Sequence, residues 1–220
     1  MRARRAGGRA AAAGALLAAV ALLAAFALLA PAVLRGDLAL AADSDADTGA
    51  QAARLDRQLE GAQSLLLQRL AALPADSGVL ILRDADRLTL RIPARLVFEY
   101  DTAVLRQDPP ASAAPDAATP PPLAIPLRAS VQLLKKYRAL QAQIVVYTDS
   151  IGDVSANQSL SDARAQAVYQ VLTAAGIAPD RLQWHGAGAA TMLAGNQTPQ
   201  GRIENRRVEI EFRPEPAAAP

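Results

Sequence analysis

The sequence predicts an α/β sandwich (α+β), a mixed sheet with helices against one face. Three patterns predict it: short runs of alternating apolar residues, amphipathic helical periods between those runs, and paired strands at the end. The clearest alternation lies in the segment 78–95. Leu80 and Leu82, then Leu88, Leu90 and Ile92, flank the polar turn Asp84-Ala85-Asp86, which is a β-hairpin pattern. A further strand follows from Leu96 to Tyr100. Leu127 to Leu140 is amphipathic and helical, Ile144 to Thr148 a β-branched strand, Asn157 to Ala175 a second helix, Arg181 to His185 a strand and Arg206 to Phe212 the closing strand. Residues 107–126 (QDPPASAAPDAATPPPLAIP) hold too much proline for a helix or a central strand, and read as a surface loop within the domain. Residues 214–220 read as a disordered tail.

A chain of 220 residues has room for one domain of ordinary size and flanking segments. The net charge of +2 argues against nucleic acid, because phosphate recognition needs a concentrated basic surface. The positive excess is also local, since Arg2, Arg4, Arg5 and Arg9 precede any acidic residue. The absence of cysteine excludes disulfides, thiolate metal sites, cysteine nucleophiles and a lipid-modified cysteine at a mature N-terminus.

Residues 1–9 form a basic, cytoplasmic end. From Ala10 to Leu34 no residue is charged, and a helix needs about 20 apolar residues to cross the hydrocarbon core. The segment 10–34 is therefore expected to be a transmembrane anchor, with arginine holding the N-terminus inside. A cleavable signal peptide is the competing reading, with Ala39-Leu40-Ala41 or Ala30-Pro31-Ala32 as its processing site. The long apolar core favours the anchor, and both readings export residues 43–220. Residues 35–49 (RGDLALAADSDADTG) are polar and acidic, and read as a linker. Residues 50–74 form a helix in which Leu55, Leu59, Ala62, Leu66 and Leu73 recur at helical steps until Pro74. That stripe suits a short coiled coil that makes a homodimer, or a helix packed on its own domain or near the membrane.

The helix from Asn157 to Ala175 has an apolar stripe of Leu160, Ala167, Val168, Val171, Leu172 and Ala175, and Arg164 falls near its middle. A guanidinium cannot shed its charge, and an unpaired buried charge costs several kcal/mol, so Arg164 needs an anion or a route to solvent. Asp149 ends the preceding strand and opens the turn Asp149-Ser150-Ile151-Gly152. A carboxylate there and a guanidinium one turn into the helix would face each other across a small cleft. Such a pair suits a zwitterion, the carboxylate taking its ammonium and the guanidinium its carboxylate. An ordinary internal salt bridge is the alternative, and the pattern alone favours it.

Longer motifs shift that balance. TDSIG at 148–152, then Asn157, then LSDARA at 160–165 resembles the OmpA-like peptidoglycan-binding domain shared by OmpA, Pal and MotB. The resemblance runs on through Gly176-Ile177, Gly186-Ala187-Gly188, NQTPQGR at 196–202 and NRRVEI at 205–210, and upstream through FEYDTAVL at 98–105. It covers roughly 96–213 and makes the 107–126 loop an insertion. What it implies is a β-α-β-α-β-β fold that binds the stem peptide of peptidoglycan, chiefly its zwitterionic diaminopimelate, without reacting with it. The family's ligand residues fall on Asp149, Arg164, Asn157 and Arg207, with Thr148 and Asp101 at positions that often line the same pocket. A bacterial envelope protein is implied, with its domain in the periplasm and an inner-membrane anchor favoured over outer-membrane association. Two segments depart from the pattern: Val146-Tyr147 stands where the family often has Gly-His, and Ala189 and Met192 where it usually has glutamate and proline.

Catalysis, metals and cofactors find no motif. His185 is the single histidine, there is no G-x-S-x-G, and Gly186-Ala187-Gly188 opens no helix. Two other functions compete with a wall clamp. An ion-driven stator subunit needs a titratable carboxylate in its membrane helix, and none lies between Ala10 and Leu34. A scaffold would oligomerise through residues 50–73 and bind a protein partner.

Overall fold

The computed structural model describes the backbone of residues 32–106 and 124–214, and side chains within them from Gly49 onward. The expected basic end, nearly all of the anchor segment, residues 107–123 of the proline-rich loop and residues 215–220 of the tail lie outside the described residues. No helix among the described residues is long and apolar enough to cross a membrane.

The elements in order are α1 (Ala32–Leu70), β1 (Leu80–Arg83), β2 (Leu88–Pro93), α2 (Ile125–Lys136), β3 (Leu140–Tyr147), α3 (Val154–Ala174), β4 (Leu182–Gly188), α4 (Pro199–Asn205) and β5 (Arg207–Pro214). The chain divides into units Met1–Ala53 and Arg54–Pro220, and the second carries the sheet. Residues 35–49, expected as a linker, are helical; no proline interrupts them and alanine, the strongest helix former, recurs. The helix stops at Leu70, short of the expected Leu73, as Pro74 biases the residue before it away from helical geometry.

Strand order in the five-stranded sheet is β1-β2-β5-β3-β4. β3 and β4 are parallel and joined through α3, and every other pairing is antiparallel, so the sheet is mixed as expected. The hairpin does not merely precede the domain: β2 pairs along its length with β5, from Leu88↔Phe212 to Pro93↔Arg207. The expected pairing of the last two strands is corrected, because β3 lies between β4 and β5. The expected strand at Leu96–Tyr100 is also corrected. A 3-10 turn occupies Ala94–Leu96, and one isolated bridge joins Phe98 to Leu105. Val97 and Phe98, neighbours in sequence, are both buried, and strand alternation cannot bury two neighbours on one face.

One face of the sheet presents Leu88, Leu90, Ile92, Ala142, Ile144, Val146, Val208, Ile210 and Phe212 to the core. The same core takes in Leu127, Leu133 and Leu134 of α2, Ala165, Val168 and Leu172 of α3, and Leu59, Ala62 and Leu66 of α1. Each leucine removed from water contributes about 1.5–3 kcal/mol. At those three residues the α1 stripe is thus packed into the core of its own domain. Tyr137 meets α1 closely, since a Cβ on Gly61 would come within 2.4 Å of the tyrosine hydroxyl.

The opposite face of the sheet is polar. Glu209 accepts from Arg91 Nε at 2.8 Å and Arg207 Nε at 2.9 Å, and the Arg207 guanidinium stacks 3.6 Å from the Tyr147 ring centre. Register explains this: Arg91 pairs with Glu209 across β2 and β5, and Tyr147 with Arg207 across β3 and β5. Burial first, and Glu209 second, push the Tyr147 hydroxyl above its ordinary pKa.

Candidate functional site

A cleft of about 540 Å³ opens at the carboxyl end of β3, between that strand end, the start of α3, the segment 94–106 and α4. Such positions, where a strand hands over to a helix, are where open α/β sheets hold ligands. Asp153 caps α3, its Oδ1 accepting from Ala156 N at 3.0 Å and from the Ser155 hydroxyl at 2.6 Å. Those bonds hold its pKa below the usual carboxylate range, the Ser155 hydroxyl contributing most.

Asp149 lines the cleft and is 7% exposed. Its Oδ1 accepts from Ile151 N at 2.9 Å, closing the turn, and its Oδ2 takes a 2.5 Å salt bridge from Arg206. Arg164 lines the same cleft and is 4% exposed. Its Nε donates to the Thr102 carbonyl at 2.7 Å, and its guanidinium lies 5.2 Å from the centre of the Phe98 ring. Burial lowers its pKa, Asp101 works to raise it, and Arg206 adds to the lowering. The sequence therefore brings Asp149 and Arg164 into one cleft, as expected, yet they are not an ion pair with each other. The carboxylate goes to Arg206, and the guanidinium is pinned by a backbone carbonyl that leaves its two Nη groups without a bond to any described residue.

Three more expected residues line the cleft. Asp101 sits at φ +55, a left-handed conformation that aspartate tolerates better than most residues, within the turn that presents the Thr102 carbonyl. Asn157 donates its amide to the Ile151 carbonyl at 2.8 Å, fastening the turn onto α3. Thr148 is 3% exposed, and its Oγ1 is buried with no hydrogen-bond partner. A buried hydroxyl without a partner is uncommon and marks a place where another polar atom fits.

Arg207 is the exception. It is 2% exposed and lies among Glu209, Tyr147 and the Thr191 carbonyl on the polar face of the sheet, away from the cleft lining. Its neighbour Arg206 reaches Asp149 instead. The signal was in the sequence: Val208, Ile210 and Phe212 face the helices, so a period of two puts residue 206 on their side and residue 207 opposite.

The motif around Arg164 has a second duty. Ser161 Oγ accepts from Gly188 N at 2.9 Å, and Asp162 Oδ1 accepts from Gly186 N at 2.9 Å. These bonds sew the edge strand β4 to α3 and fix the helix that carries Arg164. His185 and Trp184 are exposed on that same strand.

Residues 120–206 match the model of the OmpA family. The segment is OmpA-like. The OmpA-like chain is 31% identical over 138 residues to the Escherichia coli protein named "Probable lipoprotein YiaD", covering 63% of this chain and 57% of that one. It is 45% identical over 64 residues to the peptidoglycan-binding protein ArfA of Mycobacterium tuberculosis, covering 29% of this chain and 20% of ArfA. The chain thus spans little more than half of the first relative and a fifth of the second. Among solved structures, a MotB-like protein from Desulfovibrio vulgaris superposes with a TM-score of 0.59 at 22% identity, over 75% of this chain and 99% of that one; this likeness concerns the fold. OmpA-like domains form a peptidoglycan-binding family of the bacterial envelope that is generally non-catalytic.

Proposed function

We propose that this chain is a non-catalytic peptidoglycan clamp that tethers a membrane to the cell wall by gripping the diaminopimelate of the stem peptide. One observation carries the reading: a carboxylate and a guanidinium, Asp149 and Arg164, line a single cleft without neutralising each other. The ligand's ammonium would go to Asp149, helped by Asp101. Its carboxylate would go to the Nη edge of Arg164, which can meet a carboxylate with two parallel bonds. Arg206, rather than Arg207, reaches the cleft and holds Asp149 until a ligand arrives, and Asn157 holds the turn. The similarity to ArfA, named for peptidoglycan binding, supports the same ligand class.

A stator subunit shares the fold, as the MotB-like structure illustrates. The anchor ranks first because Ala10 to Leu34 holds no carboxylate to carry an ion.

The test is co-sedimentation of the intact chain with purified sacculi. The chain is expected to pellet, and free diaminopimelate to release it, while 1,5-diaminopentane, the same carbon chain without carboxylates, leaves it bound. Failure to pellet, or equal release by both compounds, would sink the reading. A subtler check is Thr148→Val, which keeps the shape and removes the partnerless hydroxyl. Affinity should fall by up to about tenfold with no loss of melting temperature; an unchanged affinity would show that Oγ1 does not meet the ligand.

A further inference from the structure

Resting on the clamp reading, the charges of the cleft say more about its ligand than the Asp149 and Arg164 pair does. Five arginines line it, Arg95, Arg106, Arg164, Arg202 and Arg206, against three carboxylates, Glu99, Asp101 and Asp149, a surplus of two positive charges among the described lining residues. Asp153 stands outside the lining, where it caps α3. A single zwitterion brings one charge of each sign and leaves that surplus untouched.

Two of the arginines account for it. Arg206 is bridged to Asp149, Arg106 lies 4.0 Å from Glu99, and Arg164 is offset by the nearby Asp101. Arg95 donates to the Ser77 carbonyl at 2.9 Å, and Arg202 to the Asn196 carbonyl at 3.1 Å. Carbonyl oxygens orient a guanidinium without cancelling its charge, and neither side chain has a carboxylate partner among the described residues. In a concave site with low-dielectric walls, uncancelled charge is felt more strongly than on an open surface.

We propose that the cleft selects its ligand by carboxylates lying beyond the zwitterionic end, so that a stem peptide whose neighbouring glutamate keeps a free α-carboxyl binds better than one in which that group is a primary amide. The amide has almost the same size and no charge. The discrimination is therefore electrostatic, and Arg95 and Arg202 supply it.

The experiment is calorimetric titration of the intact chain with two tripeptides, L-Ala-γ-D-Glu-meso-diaminopimelate and the same peptide with the glutamate α-carboxyl amidated. The free acid should bind about fivefold more tightly at low salt, with the difference shrinking as salt is added. In Arg95→Gln/Arg202→Gln the two should bind alike, and Arg95→Gln alone, at an exposed position, gives an intermediate ratio should the double variant fold poorly. Equal affinities in the unaltered chain, or a preference for the amide, overturn this inference and leave the clamp standing. Binding of neither peptide overturns both.

Discussion

Arg164→Lys will lose sacculus binding while the domain stays folded. Lysine keeps the charge near Phe98 and the Thr102 carbonyl but cannot present two parallel N–H groups to a carboxylate. Asp149→Asn should fail for the complementary reason: its shape survives, the ammonium loses its counter-charge and Arg206 loses its salt bridge. Truncating one partner of a hydrogen-bonded charge pair costs about 2–5 kcal/mol, or roughly 30-fold to several thousand-fold in affinity. The informative comparison is between Arg206→Gln and Arg207→Gln. The first removes the internal cation that competes for Asp149, so it should tighten binding with a modest effect on stability. The second should leave affinity intact and lower the melting temperature, because Arg207 fills a buried polar cluster with Glu209 and Tyr147. If Arg207→Gln abolished binding in a chain that still melted normally, the alternation argument for the cleft would be wrong.

Gly186→Ala should damage the fold more than any surface change. A Cβ at this position would lie 2.2 Å from Asp162 N and 2.4 Å from the Ser161 carbonyl carbon, and backbone atoms cannot swing aside as a flexible side chain can. To admit the methyl, β4 must move away from α3 and surrender the Gly186 N to Asp162 bond, and Gly188 N to Ser161 with it. Overpacking of this kind costs about 3 kcal/mol or more, which corresponds to a drop of roughly 6–12 °C in melting temperature for a chain of this size. Gly176→Ala is the control, since its φ of +88 brings some strain but its added methyl meets open space. A Gly186→Ala variant that melted no lower than Gly176→Ala would remove the account of how α3 and β4 are held.

Where one physical rule governed a segment, the sequence was legible. The hairpin followed from alternation, β3 from its β-branched run, and the partly buried α3 from its helical stripe. Segments under two competing demands were not. Val97 and Phe98 are both buried in a turn, which looks in sequence like part of an apolar strand. α4 escaped notice because PQGRIEN is short and contains glycine, although the Thr198 cap, which accepts from Gly201 N, and Pro199 at its first position were readable. The α1 stripe of Leu59, Ala62 and Leu66 was visible, but a stripe does not say what covers it. In the site, Asp149 and Arg164 could be found as complementary charges near one turn. The partner of Asp149 could not be found that way, since Arg206 arrives from 57 residues away. Only the phase of β5 distinguishes it from Arg207.

The bridge between Asp149 and Arg206 also bears on how firmly the wall would be held. In the proposed clamp an arriving ammonium would find its seat already taken by an internal cation, so engagement would be an exchange of partners rather than the filling of a vacancy. Release would then be assisted from within, as the arginine returns to the carboxylate. A grip of this sort would be weak in a single molecule and quick to renew, so that many copies could share the hold on a mesh.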